Sequence, residues 1–476
     1  MSQPDTTLLH SPLLPPTASG FRWSVDETGA GQAWSGKRPN WWQPYALFFF
    51  DLAAALACFF LMKRVWVSEP LPAVPASLVI FSVLAASAWV GGFRRTVDFL
   101  SLRFTVEYLL ALTLTALLAF FIVILAFTYG TGIQASRGWL ITWPFLFFAV
   151  SLGFKRCMTN YRFQHYGLPV AILIGTEAEA ETLQKELVHH GQRTLVTVVS
   201  PEKLGDAVEQ GFTATFQLPG VEAIVLSPEI KYPRGSLTHL LTTHVSHVPV
   251  LTWEAFFEHY LKKVSLEILQ PTWLFDVDFP LAPRSHYDPV KRIADIIMVL
   301  VSLPLILPVM LLIGILIRFD SRGPVLFCQQ RVGRFCQPFR VVKFRTMHDG
   351  AAGGTTQAGD KRITPIGHFL RKYRLDELPQ LWNILLGQMS FIGPRPEWNA
   401  CVEDYEKEIP FYHLRHAVRP GLTGWAQVNY SYGENVEDAR EKFAYDLYYL
   451  RHFSATLDVA ICLKTVFVVL FGRGGR

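Results

Sequence analysis

Four apolar runs, at about 44–62, 72–91, 107–128 and 139–154, follow a polar stretch of about 40 residues. Each is close to the ~20 residues a helix needs to cross about 30 Å of hydrocarbon. Under a four-span arrangement Lys37, Arg38, Arg94, Arg95, Arg103, Lys155, Arg156 and Arg162 fall on one side, and only Lys63, Arg64 and Arg137 on the other. The more basic side faces the cytoplasm. Four transmembrane helices are therefore expected over 41–160, with the N-terminus and everything after 155 cytoplasmic. Residues 1–40 are rich in Pro, Ser, Thr and Gly, show no early apolar core of a signal peptide, and read as a disordered tail.

From about residue 165 the period changes. Short apolar runs LPVAILIGT (168–176), TLVTVVS (194–200), VEAIVLS (221–227) and HVPVLTW (247–253) alternate with helical stretches. That alternation predicts a parallel, doubly wound sheet, a Rossmann-like α/β domain over 165–270. The turn after its first strand reads G-T-E-A-E-A. Gly175 is present, but the further glycines that let a pyrophosphate approach the backbone are not. Glu177 and Glu179 would also repel phosphate. A structural or regulatory module is favoured over a dinucleotide-binding one.

A fifth apolar run, Lys291 to Arg318, carries no charge between Asp295 and Arg318. It is long enough to span a bilayer, yet Pro304 and Pro308 lie in its middle, where each removes a helical hydrogen bond. Its flanks are both basic: Lys291 and Arg292 before it, Arg318, Arg322, Arg331 and Arg334 after it. A proline-kinked span would put one cluster on the wrong side. A helix that enters, breaks near Leu307-Pro308 and returns keeps both on one face, and the charges favour it. Each arm would then hold roughly eight to ten residues, about 12–15 Å or half a bilayer. Near the C-terminus, LDVAICLKTVFVVLFGRGGR is too short to span comfortably and suits an interfacial helix.

Composition agrees with this pattern. Of 476 residues, 50% are hydrophobic and 17% charged, which fits an integral membrane protein with soluble parts. A net charge of +5 suits anionic headgroups or phosphorylated substrates. Six cysteines lack CxxC spacing and no His/Cys cluster is visible, so buried free thiols are expected and zinc hydrolysis is not.

Candidate chemistry lies after the fifth run. GPVLFCQQRVG and PFRVVKFRTM are two strand-like runs joined by a short turn, and Arg331, Arg334, Arg340, Lys343 and Arg345 recur across them. HDGAAGGTTQAGD (348–360) is a glycine-rich insertion or a lid. Lys361, Arg362, Arg371, Lys372 and Arg374 converge on Asp376-Glu377. This pair is expected to open a helix with Leu378, Leu381, Trp382, Leu385 and Leu386 on one face and Gly387 at its end. Acids at a helix N-terminus interact well with its dipole, which is the ordinary reading. Phosphoryl transfer needs the same assembly, with arginines on the phosphate oxygens and carboxylates that bind Mg²⁺ or attack phosphorus. Gly393-Pro394-Arg395-Pro396 and Arg419-Pro420-Gly421-Leu422-Thr423-Gly424-Trp425 are plain proline turns or rigid mounts for anion-gripping arginines.

As an ordered set, KRIADI, LPLILPVML, QQRVG, VVKFRTM, RITPIGHFLRKYRLDELPQLWNILLGQMSFIGPRPE and RPGLTGWAQVNY resemble the bacterial sugar transferase family. These are the polyprenyl-phosphate phosphoglycosyl transferases. The four spans and the Rossmann-like domain resemble its long form, as in undecaprenyl-phosphate hexose-1-phosphate transferases. The ending YSYGENVEDAREKFAYDLYYLRHF resembles members tied to exopolysaccharide systems.

The resemblance implies a catalytic domain over 285–476 with a re-entrant helix at 291–318, broken at Pro308 with Pro304 as an additional break. Lys291 and Arg292 would anchor it at the headgroups. A UDP-sugar, glucose or galactose first, would give its sugar-1-phosphate to undecaprenyl phosphate and leave UMP. This would be the first membrane step of exopolysaccharide, capsule or O-antigen synthesis, on the cytoplasmic face of a bacterial inner membrane. Asp376 would be the nucleophile, forming an aspartyl phospho-sugar. Glu377 would assist with Mg²⁺, sharing it with Asp376. Arg371 and Arg395 would hold phosphate, helped by Lys343, Arg345 and Arg331; Arg419 and Gln427 would border the nucleotide. Gln388 stands where the family has Asp in its G-D-M-S motif. Expected partners are the UDP-sugar, undecaprenyl phosphate, membrane lipids and a second copy joined through the α/β domain, with no nucleic acid. Two other readings compete: a membrane glycosyltransferase releasing UDP, and a non-catalytic scaffold.

Overall fold

A computed structural model describes residues 43–66, 73–93, 99–100, 104–117, 138–166, 168–190, 192–199, 221–230, 232, 248–266, 286–348, 360–430 and 435–470. The tail 1–40, the second part of the third apolar run and the interior of 348–360 lie outside these residues. So do Lys37, Arg38, Arg94, Arg95, Arg103, Arg137 and most of the link between the α/β domain and the fifth run.

The apolar runs form α1 (Gln43–Trp66), α2 (Ala73–Trp89), α3 (Phe104–Leu117) and α4 (Gly138–Tyr166). They pack around Leu47, Phe59, Val83, Leu112, Trp143 and Phe147. Every one of these helices also sends a polar side chain inward. Lys155 Nζ lies 2.5 Å from Asp51 Oδ2. Ser87 and Ser151 each donate to the Asp51 carboxylate at 2.6 Å, and Tyr108 meets Ser151 at 2.8 Å. A buried charge needs such partners. By length and composition, two helices among the described residues are able to cross a membrane: α1, and the long helix of the fifth run.

The α/β region contains β1 (Val170–Ile174), α5 (Glu177–His189), β2 (Leu195–Val199), β3 (Val221–Leu226) and β4 (Val250–Thr252). The strands are parallel, in the order β2-β1-β3-β4. Side chains alternate between faces. Ala171, Leu173, Ala223 and Val225 pack under Leu183, Leu187, Trp253 and Phe256, while Ile172, Ile174 and Ile224 face Val248. At the first turn Glu179 reaches back onto Thr176 in a capping box. Ser227 also donates to Glu179 Oε1, at 2.5 Å. A Cβ on Gly175 would lie 2.6 Å from Glu179 Oε2. The protein's own carboxylate thus fills the helix N-terminus where a pyrophosphate would sit.

This region meets the C-terminal domain through Lys263, which lies 2.8 Å from Glu186 and 2.6 Å from Glu441. The domain comprises α6 (Tyr287–Asp320), β5 (Leu326–Val332), β6 (Pro338–Phe344), α7 (Pro365–Lys372), β7 (Ser390–Ile392), α8 (Asn399–Glu408), β8 (Gly421–Thr423), α9 (Val436–Arg451) and α10 (Ala455–Leu470). β5 and β6 form an antiparallel hairpin; β7 and β8 pair in parallel. Ile392, Tyr412, Trp425, Phe443, Tyr449 and Ile461 form its core.

α6 stays helical through Pro304 and Pro308, so the expected interruption at Leu307-Pro308 is not a loss of helical conformation. Both ends of α6 touch the same domain. Val299 packs with Phe339, Val341 and Ile384; Ile313 and Ile317 pack with Phe344 and Leu370. Between them Leu300, Val301, Leu305, Leu307, Leu311 and Leu312 are exposed. Lys291 and Arg292, expected at the headgroups, instead face the protein. Lys291 is buried against Asp458 of α10, which also accepts from Tyr287 and Tyr449 at 2.8 Å each. A buried acid demands a cation, and Lys291 meets that demand. Arg292 donates to the carbonyls of Ile384 and Leu385, where the end of a short helix leaves acceptors open.

Candidate active site

α7 is capped by Thr364, which accepts from Gly367 N at 3.0 Å, and opens with Pro365. Gly367 crosses the end of β6 so closely that a Cβ there would lie 2.2 Å from Thr346 O. That approach lets Arg371, in the last turn of α7, donate to Thr346 Oγ1 at 2.8 Å. Arg374 then turns the chain with φ +55°. Asp376 and Glu377 follow in a 3-10 turn, Leu375–Gln380, and the α-helix proper is only Leu381–Leu385. The single helix with one apolar face does not form, because Pro379 sits inside the turn and cannot donate. Leu381 and Ile384 are buried, whereas Trp382 and Leu386 are exposed. Gly387, with φ +79°, ends the segment as the pattern predicted.

Glu377 is buried, with 6% of its surface exposed. Its Oε1 accepts from Arg395 Nη2 at 2.9 Å and lies 3.6 Å from Lys343 Nζ; its Oε2 lies 3.9 Å from Arg374 Nη1. Burial alone pushes its acidity toward the neutral form, but Arg395, Lys343 and Arg374 hold its pKa down to about 2. Asp376 is half-buried, and among the described residues no hydrogen bond reaches its carboxylate. Burial, and then the Glu377 charge, push its pKa up, against Lys343, Arg371 and Arg395. Burial also pushes the Lys343 ammonium pKa down, opposed by Glu377. Adjacent carboxylates shifted in opposite directions have different tasks. Glu377 is a fixed anion that gathers cations; Asp376 is the less encumbered, more basic carboxylate.

The loops around this pair are held by backbone. A Cβ on Gly421 would lie 2.1 Å from Gly393 N, so the two proline loops meet with no room for side chains. Gly393 N donates to Thr423 O and Gly421 N to Pro394 O, both at 2.9 Å. Arg331 donates to Pro396 O at 3.2 Å. On β6, buried Asn383 accepts from Val342 N at 3.1 Å and donates to Arg340 O at 2.7 Å, bracketing the strand beside Lys343. The same amide donates to Gln388 Oε1 at 2.8 Å, so Gln388 serves as a neutral acceptor.

The structure therefore brings Asp376, Glu377, Lys343, Arg371 and Arg395 together, with Arg331 close enough to Lys343 to oppose its charge. It does not bring every candidate there. Arg345 is buried and donates to Ser321 O at 2.7 Å and Oγ at 2.9 Å. Arg419 pairs with Asp288 at 2.9 Å, beside Arg334 at 3.1 Å. Gln427 donates to Leu422 O at 3.2 Å, and Arg362 pairs with Asp360 at 2.6 Å. Sequence reasoning gave no specific role to Arg374, Thr346 or Asn383. Arg374 was visible in the basic run, but its left-handed turn was not.

Residues 286–472 match the family described as Bacterial sugar transferase. Three relatives illustrate the similarity. The UDP-N-acetylgalactosamine-undecaprenyl-phosphate N-acetylgalactosaminephosphotransferase of Aeromonas hydrophila is 41% identical over 49% of this chain and 55% of its own. The UDP-glucose:undecaprenyl-phosphate glucose-1-phosphate transferase of Caulobacter vibrioides is 42% identical over 39% of this chain and 71% of its own. The exopolysaccharide production protein PSS of Rhizobium leguminosarum bv. phaseoli is 44% identical over 37% of this chain and 93% of its own. The chain thus spans only about half the length of the Aeromonas protein, but most of the shorter two. Coverage of these shorter proteins, at such identity, establishes that the chain belongs to the bacterial sugar transferase family.

Proposed function

We propose that this protein transfers a hexose-1-phosphate from a UDP-sugar to undecaprenyl phosphate at the cytoplasmic face of a bacterial inner membrane. One observation carries the reading: two adjacent carboxylates of opposite acidity stand among Lys343, Arg371, Arg374 and Arg395 in a domain built on an exposed apolar helix. An Asp376 oxygen attacks the phosphorus bearing the sugar. The bond to UMP breaks, UMP leaves, and an aspartyl phospho-sugar remains. An oxygen of undecaprenyl phosphate then attacks the same phosphorus and displaces the carboxylate, giving undecaprenyl-diphospho-sugar. Splitting one hard displacement into two is the advantage of a carboxylate nucleophile. Arg371, Arg395 and Lys343 offset charge on the phosphoryl oxygens.

The donor chemistry fits Mg²⁺, a hard cation that takes carboxylate and phosphate oxygens. Asp376 and Glu377 would hold it. Because three cations already surround Glu377, Asp376 has the freer oxygens. When bound, the ion would neutralise charge on the pyrophosphate.

Contacts of both ends of α6 with one domain support a re-entrant helix. A helix crossing the bilayer would carry Ile317 to the face opposite Val299. The four N-terminal helices would be transmembrane, and the parallel sheet a Rossmann-like structural or regulatory module. Glucose or galactose is our first choice of sugar. The names of the relatives carry glucose and N-acetylgalactosamine. The test is purified protein with radiolabelled UDP-sugars and undecaprenyl phosphate. Label should enter the lipid extract with release of UMP. Release of UDP would mark a glycosyltransferase, and no turnover with any UDP-sugar a scaffold.

A further inference from the structure

Arg395 is flanked by Pro394 and Pro396, so its backbone is stiff and extended. A stiff loop still needs an anchor. Buried Arg415, in the turn Tyr412–Ala417, supplies one: its Nη2 donates to the Arg395 carbonyl at 3.1 Å. The guanidinium is itself fixed from another element. Asp446 of α9 lies 2.8 Å from Nη2 and accepts from Nε at 3.1 Å. Nη1 donates to the Tyr412 hydroxyl at 2.5 Å and lies 3.8 Å from Glu397. Arg415 and Asp446 are 3% and 1% exposed. A buried ion pair adds little net stability over apolar side chains of the same size. What apolar side chains cannot do is hold the Arg395 carbonyl while Arg395 Nη2 meets Glu377 Oε1, 2.9 Å away.

We infer that Arg415, clamped by Asp446, is a positioning residue: it fixes the backbone at Arg395 so that the Arg395 guanidinium stays on Glu377. The role in catalysis rests on the transfer reading above; the mechanical role does not. Around Glu377 the charged groups are Asp376, Lys343, Arg374 and Arg395, and Arg371 lies near Asp376. Around Asp446 they are Arg415, Glu397 and Lys442. If Arg395 drifts, its guanidinium leaves Glu377 Oε1.

The experiment uses the full chain in nanodiscs. Arg415→Met alone would strand Asp446 as a buried, unpaired charge and risks unfolding. The double variant Arg415→Met/Asp446→Leu removes both charges together, and thermal melting checks its fold. Hydrogen exchange of peptides covering 393–398 should rise. On the transfer reading kcat/KM should fall by about tenfold or more. Arg415→Lys, which keeps the charge but not the fork, should show smaller shifts in the same directions. A folded double variant with wild-type exchange at 393–398 overturns the inference, even if its rate is low. If wild-type protein releases no UMP with any UDP-sugar, the transfer reading falls, and exchange at 393–398 alone decides whether Arg415 holds the loop.

Discussion

Arg395 Nη2 lies 2.9 Å from Glu377 Oε1, joining a proline loop that follows β7 to a 3-10 turn that follows α7. The contact matters because Glu377 is buried and its charge depends on Arg395, Lys343 and Arg374. On the proposed reaction it also sets Arg395 beside the phosphoryl group that Asp376 attacks. Arg395→Ala should lower kcat for UMP release by about 10²-fold. Arg395→Lys should be intermediate, since an ammonium keeps the charge but cannot reproduce the planar fork.

The acidities of the pair give a second test. On the proposed reaction Asp376 must be ionised to attack, and its pKa is raised by burial and by Glu377. The acid limb of kcat/KM should therefore lie above the ordinary aspartate range. Glu377→Gln removes the like charge and frees Lys343 and Arg395 to face Asp376. The limb should then move to lower pH while the maximal rate falls. A rate loss with an unmoved limb would argue against Asp376 as the titrating group.

Much of this fold was legible because its signals are periodic. The four strands of the parallel sheet fall on the apolar runs, and the β5–β6 hairpin on its two strand-like runs. The acid pair stood out because its cations lie close in sequence. The leucine pattern from Asp376 to Leu386 predicts a helix, but Pro379 leaves a 3-10 turn in its first part. Lys291 and Arg292 were misread because a basic residue beside an apolar run resembles a headgroup anchor. Their true partners, Asp458 and the Ile384 and Leu385 carbonyls, are distant in sequence. For the same reason nothing in the sequence tied Arg415 to Arg395.

His416 makes stability depend on pH. It is 5% exposed, its Nε2 has no hydrogen-bond partner among the described residues, and burial followed by the neighbouring Arg415 charge lowers its pKa to about 3. An unfolded histidine titrates near 6.5. Its contribution is therefore fully present above about 6.5 and is lost as pH falls toward 3, because the unfolded chain takes up a proton that the folded chain refuses. His416→Phe should flatten the fall in melting temperature between pH 6 and 4, measured against the wild type in the same detergent.

Asp51 and Lys155 lie 2.5 Å apart with no exposed surface, among α1, α2, α3 and α4. Lys155→Met leaves an unpaired buried carboxylate and should cost about 3–5 kcal/mol. Asp51→Leu/Lys155→Met removes both charges and should recover most of that loss. A double variant no more stable than the single one would mean that the serine and tyrosine hydroxyls, rather than the ion pair, hold the helices.

The arrangement of α6 can be tested by labelling. Val299 and Ile317 both pack on the C-terminal domain, while the helix between them exposes Leu300, Val301, Leu305, Leu307, Leu311 and Leu312. An apolar surface of this kind is stable in hydrocarbon, whereas the two packed ends must stay where the domain is. Single cysteines at positions 286 and 322, placed in a protein with its six native cysteines replaced, report on both ends. An impermeant maleimide should label both only when the cytoplasmic face is open. Labelling of one from each side would require α6 to cross the bilayer. It would also require either the 299 contacts or the 317 contacts to be lost in the membrane.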